Sequence, residues 1–313
     1  MQEYEAKGVP FVGRERTVPA GELNLWAEDF GAPGSPVVLL VMGAQAQGVQ
    51  WNDGIVRRLV DGDLRVIRYD HRDVGRSSTV DFAAHPYTVA DMASDALAVL
   101  DTFGVERAHW VGASLGGVIA QRVALTHPHR VLTLTSLSSQ PLGTNTVATV
   151  QRALTGLPPL VGHLPPPSAA LLDTLLSALP APDASLPEYL ATRLPLWRVL
   201  HGPVLPFDEE EYRTMETRVY ERTRDARSGL NHTRAGTAAE EFTTADLAAV
   251  TAPMLVLHGT EDPMFPPAHA QATATAVPGA RLVMIEGMGH TLPTALDTRL
   301  ADEILRHTAL DRA

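Results

Sequence analysis

Three residues suited to nucleophilic and proton-transfer chemistry stand in short glycine-rich strings: Ser114 in Gly112-Ala113-Ser114-Leu115-Gly116, Asp262 in Gly259-Thr260-Glu261-Asp262, and His290 in Gly287-Met288-Gly289-His290. A serine hydroxyl is a weak nucleophile until a base removes its proton. An imidazole can take that proton and return it to a leaving group, and a carboxylate can fix the tautomer and stabilise the imidazolium. The three read as nucleophile, base and orienting acid. Two neighbours compete: Glu261 for the acid and His258 for the base. Glu261 would have to act from the opposite side of its turn, and His258 falls inside an expected strand rather than after it.

The serine string has meaning only where a strand turns sharply into a helix. Upstream, His109-Trp110-Val111 is β-prone, and downstream Val118, Ile119, Val123 and Ala124 recur at helical spacing. Such a turn brings strand and helix very close, so positions 112 and 116 must be tiny, and it strains the serine backbone. The alternative is an ordinary turn whose serine caps the helix. A carbonyl under attack also needs donors for its developing negative oxygen. The backbone N–H of Leu115 is one candidate. The other is the N–H of Ala44, in the small-residue loop Gly43-Ala44-Gln45-Ala46-Gln47-Gly48; the alternative for that loop is simple flexibility.

The elements that must position these groups alternate between strand and helix. A hairpin is expected over 15–18 and 23–26, broken at Pro19-Ala20-Gly21, after an irregular leader over 1–12. A continuous apolar strand is expected at 37–42, further strands at 64–69, 131–137, 253–258 and 281–285, and helices at 51–59, 90–103 with Thr88 as cap, 268–277 and 298–307. This predicts a mostly parallel α/β sheet with helices on both faces, whose functional groups collect at the carboxyl ends of the strands. The order Ser, Asp, His is the one associated with such a sheet. In the polar turn that begins at Asp70, Arg72 and Asp70 are expected to pair, and His71 lacks an orienting acid. From 140 to 246 no strand is evident. Proline-rich stretches at 157–167 and 179–186 separate helices expected at 169–179, 186–200 and 209–227. This gives a core of 1–140 with 246–313 and a helical cap, or lid, over 141–245. Trp197, Phe207 and Tyr212 of the cap either pack together or face a substrate, and the charge-rich part, 208–227, reads as a solvated helix face.

The chain has 313 residues, 45% apolar and 19% charged, the composition of a globular protein that does not span a membrane. Its net charge of −11, without any Lys/Arg cluster, disfavours a nucleic-acid partner. There is no cysteine, hence no disulfide, thiolate nucleophile or cysteine-type zinc site. No HExxH string occurs, and His127 and His129 flank Pro128 in a loop signal, so no metal site is expected. With no visible secretory signal, a cytoplasmic location is the default.

These motifs resemble the α/β-hydrolase superfamily: G-x-S-x-G at 112–116, G-x-x-D at 259–262 and G-x-G-H at 287–290. A narrower resemblance is to aclacinomycin methylesterase and related anthracycline-tailoring esterases. It rests on Val41-Met42-Gly43, Ile67-Arg68-Tyr69-Asp70-His71-Arg72-Asp73, Asp81-Phe82-Ala83-Ala84-His85-Pro86-Tyr87, and Gly287 to His290 with Leu292-Pro293. In the cap it extends only to Trp197-Arg198 and Pro206-Phe207-Asp208. The resemblance implies the α/β-hydrolase fold and an apolar polycyclic methyl ester as substrate. The residues themselves imply a cofactor-free serine hydrolase acting on an ester or lactone, and the resemblance makes the expected partner a small apolar ester. Alternatives are lactone opening, C–C bond hydrolysis or perhydrolysis on the same residues, and a non-catalytic ligand-binding protein.

Overall fold

The structure, a computed structural model, describes residues 11–312 apart from 145, 158–162, 176–178, 180, 182 and 239. Most of the expected leader, part of both proline-rich stretches and residues 176–178 of the helix expected at 169–179 lie outside the described residues.

Eight strands form one sheet: β1 (Arg14–Ala20), β2 (Leu23–Phe30), β3 (Val37–Val41), β4 (Arg65–Tyr69), β5 (Ala108–Ala113), β6 (Val131–Leu137), β7 (Met254–Gly259) and β8 (Arg281–Ile285). Their spatial order is β1-β2-β4-β3-β5-β6-β7-β8. β2 pairs antiparallel with both β1 and β4, and the remaining pairs are parallel. The opening hairpin is longer than its pattern suggested. Pro19 lies within β1 opposite Asn24, and the turn moves to Gly21, at φ 61°. β1 is a sheet edge, where a residue without an N–H breaks no inner ladder.

The apolar runs are buried on both faces because successive side chains feed opposite layers. Leu39 and Val41 of β3 join Met92 and Leu100 of α2 (Val89–Thr102) and Ile119 of α3 (Leu115–Thr126). Val38 and Leu40 join Ile55 and Leu59 of α1 (Asp53–Asp61) and Ile304 of the last helix. Helix α1 begins two residues later than its periodicity suggested. A single turn at Gly48–Gln50 precedes it, and the Trp51 carbonyl accepts from Arg68 at 2.9 Å instead of starting a helix. Thr88 caps α2 as expected, in a reciprocal box with Asp91.

Between β6 and β7 run α4 (Thr146–Leu154), α5 (Ala169–Leu175), α6 (Leu186–His201), α7 (Glu209–Arg222) and α8 (Asn231–Ala235). Helices α9 (Ala268–Ala276) and α10 (Asp297–Thr308) complete the chain. Two expectations fail here. Asp70 and Arg72 do not pair: Arg72 donates to Asp95 of α2 at 2.6 and 2.7 Å, whereas Asp70 receives Arg222 of α7 at 2.8 Å. Helix α7 is not merely a solvated face. Glu216 is fully buried and accepts from Tyr189, Arg193 and Trp197 of α6. The charges on α7 serve contacts to other elements, which the local pattern of a helix cannot reveal.

Candidate active site

Ser114 occupies the turn from β5 to α3 with φ 52° and ψ −120°, a conformation that favours glycine. The close approach expected there is present: a β-carbon on Gly112 would collide with the Gly116 carbonyl, and one on Gly116 with the Val41 carbonyl. Two bonds to the neighbouring strand pin the strained peptide. The Ser114 N–H donates to the Leu137 carbonyl at 2.9 Å, and the Ser139 hydroxyl donates to the Ser114 carbonyl at 2.6 Å.

His290 follows β8 through Gly287, at φ 73°. Its ring bridges the other two residues. The Ser114 hydroxyl lies 3.2 Å from Nε2, and Nδ1 lies 2.9 and 3.1 Å from the two Asp262 oxygens. With Nδ1–H donating to the carboxylate, Nε2 is left to accept the serine proton. The backbone N–H groups of Met264 and Phe265 also donate to Asp262, each at 2.9 Å. Burial alone would push the Asp262 carboxyl up, but the two histidines and these donors outweigh it and hold the group below the usual carboxylate range. His258 lies behind Asp262, not against Ser114. Its Nε2–H donates to the Phe265 carbonyl at 2.7 Å, and burial disfavours its charged form. Among the described residues, the carboxylate partner of His290 is Asp262 and not Glu261.

The N–H groups of Ala44 and Leu115 find no acceptor among the described residues. Gly43 brings the loop against Ser114, since a β-carbon there would stand 3.1 Å from that of Ser114. Two buried histidines hold the loop from behind. The His71 Nε2–H donates to the Met42 carbonyl at 2.9 Å. His232 accepts the Gln45 N–H on Nδ1 at 2.9 Å, and its Nε2–H donates to the Arg72 carbonyl at 2.7 Å. Burial is the main cause that lowers His71 to about 3 and His232 to about 4, so both are neutral near pH 7.

A cavity of about 420 Å³ opens over Ser114 and His290, with walls that include Leu175, Leu196, Trp197, Tyr212, Met215 and Met264. Trp197 and Tyr212 stand in the cavity wall and also pack together, their rings stacked at 5.6 Å, whereas Phe207 is not in that wall. Its ring stacks on Tyr212 at 4.7 Å and is covered by the Arg198 guanidinium at 4.3 Å, so both faces are occupied. Tyr212 also places its hydroxyl 2.7 Å from Thr291 and 2.8 Å from His201. The sequence reading missed Arg193 and Ser138, which also line the cavity. Ser138 carried one signal, a serine just beyond an apolar strand as at Ser114. It too has a positive φ, 43°, and its buried hydroxyl has no partner among the described residues. A wider depression of about 700 Å³ lies at the amino edge of the sheet beside Arg14, Arg65 and Phe103, and contains none of these reactive groups.

Among known families, the one described as alpha/beta hydrolase fold matches residues 36–293. The chain belongs to this family. Among curated α/β-hydrolase relatives, rhodomycin D methylesterase DnrP of Streptomyces peucetius is 41% identical, over 94% of this chain and 97% of its own length. Epoxide hydrolase A of Mycobacterium tuberculosis is 30% identical, over 89% and 92%. Of solved α/β-hydrolase structures, an esterase from Rhodococcus sp. superimposes with a TM-score of 0.72 at 19% identity, covering 95% of this chain and 98% of that one. At that identity the likeness speaks for the fold alone. No helix among the described residues is long and apolar enough to cross a membrane.

Proposed function

We propose that this protein is a serine ester hydrolase that works through an acyl-enzyme on Ser114. One observation carries the reading: the His290 ring links the Ser114 hydroxyl to Asp262 at hydrogen-bond distance, beside two N–H groups that have no other acceptor. As Ser114 Oγ attacks the ester carbonyl, Nε2 of His290 takes its proton. The carbonyl oxygen becomes an alkoxide, which the Ala44 and Leu115 N–H groups stabilise. Collapse of this intermediate expels the alcohol, which leaves with the proton from His290. Water then enters, gives its proton to His290, and releases the acid and free Ser114 by the same steps. Asp262 stays ionised throughout and stabilises the imidazolium.

The substrate class we propose is an apolar polycyclic methyl ester of the anthracycline type. The mostly apolar cavity and the 41% identity to rhodomycin D methylesterase support it. Residues 141–245 act as a lid that supplies Trp197 and Tyr212 to the substrate. A route through a carboxylate nucleophile is not open, because the residue at the turn is serine.

The test is hydrolysis of a short p-nitrophenyl ester and of a polycyclic methyl ester by wild type and Ser114→Ala. The variant should lose turnover of both while its melting temperature stays nearly unchanged. Substantial remaining turnover would remove Ser114 as nucleophile. Parallel assay of an ester and its matched ketone separates ester hydrolysis from C–C bond cleavage.

A further inference from the structure

The face of α6 that roofs the cavity carries one charged side chain. Arg193, Leu196, Trp197 and Leu200 stand in the cavity wall at i, i+3, i+4 and i+7, the spacing of a single helix face. Burial accounts for the apolar three. An arginine in the same row gives up water for an apolar wall and needs compensation. Glu216 of α7 provides part of it. Its carboxylate is fully buried and accepts from Arg193 Nε at 3.2 Å as well as from Tyr189 and Trp197. The Tyr189 hydroxyl also stands within reach of the guanidinium, and the Trp197 ring centre lies 5.6 Å from it.

A guanidinium keeps its charge and carries five N–H groups in a planar fork. Nε is used by Glu216 and one further N–H by Tyr189; the rest meet no acceptor among the described residues. The Arg193 side chain is 19% exposed and that of Glu216 not at all, so the part left open is the part turned from the carboxylate. Arg193 also stands where apolar space gives way to polar space. A smaller cavity of about 60 Å³ shares Gln45, Gln50 and Arg193 with the first and adds Gln47, Asp73 and Thr223, whereas Ser114 and His290 border the first alone.

We propose that Arg193 is a specificity-determining residue whose Nη groups donate to an oxygen acceptor on the ring system of the substrate, such as a ring carbonyl, while the ester lies at Ser114. The protein then selects oxygenated polycyclic esters over hydrocarbon ones of the same shape. This inference deepens the ester-hydrolase reading of the preceding subsection and rests on it. A bare hydrocarbon would cover the guanidinium without replacing its hydrogen bonds to water, and a ring oxygen would replace them.

Methyl anthracene-2-carboxylate and its 9,10-dioxo counterpart test this, because they share skeleton and ester and differ in the ring carbonyls. Dissociation constants for both are measured by tryptophan fluorescence in the Ser114→Ala background. Removing the arginine alone would leave Glu216 buried and unpaired, so one variant removes both charges, Arg193→Met with Glu216→Gln, whose amide oxygen still accepts from Trp197. The other, Arg193→Lys, keeps the charge beside Glu216 but lacks the fork that reaches carboxylate and ligand together. Relative to the hydrocarbon ester, the dioxo ester should lose about 10-fold or more in affinity in the double variant and about threefold or more in Arg193→Lys. A purely structural pair would change both affinities by the same factor. The proposal falls if the ratio of the two constants stays within about twofold of its starting value in both variants. Turnover of either ester by Ser114→Ala would sink the hydrolytic reading without moving that ratio, while intact hydrolysis with an unmoved ratio sinks only the role of Arg193.

Discussion

Arg222, in the last turn of α7, donates through Nη2 to Asp70 at the carboxyl end of β4 across 2.8 Å, and its Nε donates to Gln47 at 3.0 Å. Both charged groups are taken out of water, with side-chain exposures of 8% and 0%. The N–H groups of Gly48 and Arg76 also donate to Asp70, at 2.8 and 2.9 Å. Burial nevertheless dominates, pushing the carboxyl up and the guanidinium down.

Loss of the cation alone should be costly, because the carboxylate stays where it is. Arg222→Met should destabilise the protein by about 3–5 kcal/mol, and adding Asp70→Asn should recover about 1 kcal/mol or more. Urea denaturation of the two single variants, the double variant and wild type measures this. A loss below about 1 kcal/mol for Arg222→Met would show that the pair is not a tether.

Ser114 stores backbone strain that its hydroxyl chemistry requires. Alanine at 114 keeps the β-carbon and therefore the strain, whereas glycine releases it. Ser114→Gly should be more stable than Ser114→Ala by about 1 kcal/mol, although both are inactive. Equal denaturation midpoints for the two variants would mean that φ 52° costs this chain nothing.

Acid should weaken the fold as the pH falls below about 6.5. His71 and His232 fall to about 3 and about 4 because burial penalises their charged forms. In the unfolded chain both bind protons near the ordinary histidine value of about 6.5. The unfolded state therefore binds more protons between these limits, so stability is full above pH ~6.5 and is lost as pH falls towards 4. Each histidine adds a slope of up to about 1.4 kcal/mol per pH unit in that window. His258, His269 and His307, also lowered by burial, act in the same direction. Asp297, raised to about 6 chiefly by burial, opposes them. Denaturation midpoints between pH 7 and 4.5 should fall in wild type and fall less in a His71→Asn, His232→Asn double variant. Parallel curves would rule out these two as the source.

Much of the sheet was legible because parallel strands buried on both faces are mostly apolar, and 37–42 is so throughout. Ser114, Asp262 and His290 were legible because each stands in a glycine-rich string just beyond such a strand. What stayed hidden depends on contacts between residues far apart in sequence. Gln45 meets His232 across 187 positions, and Asp70 meets Arg222 across 152. No local pattern encodes either, so Asp70 was matched to Arg72, a cation two residues away. The aromatic residues of the helical segment show a related difficulty. Phe207 and Tyr212 look alike as apolar rings, and only the packing shows that Arg198 and Tyr212 use up both faces of Phe207.

The N–H of His290 donates to the Leu200 carbonyl at 2.7 Å, and a β-carbon on Gly289 would collide with that same end of α6. The backbone of His290 is thus hung from the segment that roofs the cavity. Such a segment is not an interchangeable accessory. Transplanting a roof from another hydrolase to change substrate range would have to reproduce the end of α6 to the ångström, or the graft would unseat the imidazole while every reactive side chain was still present.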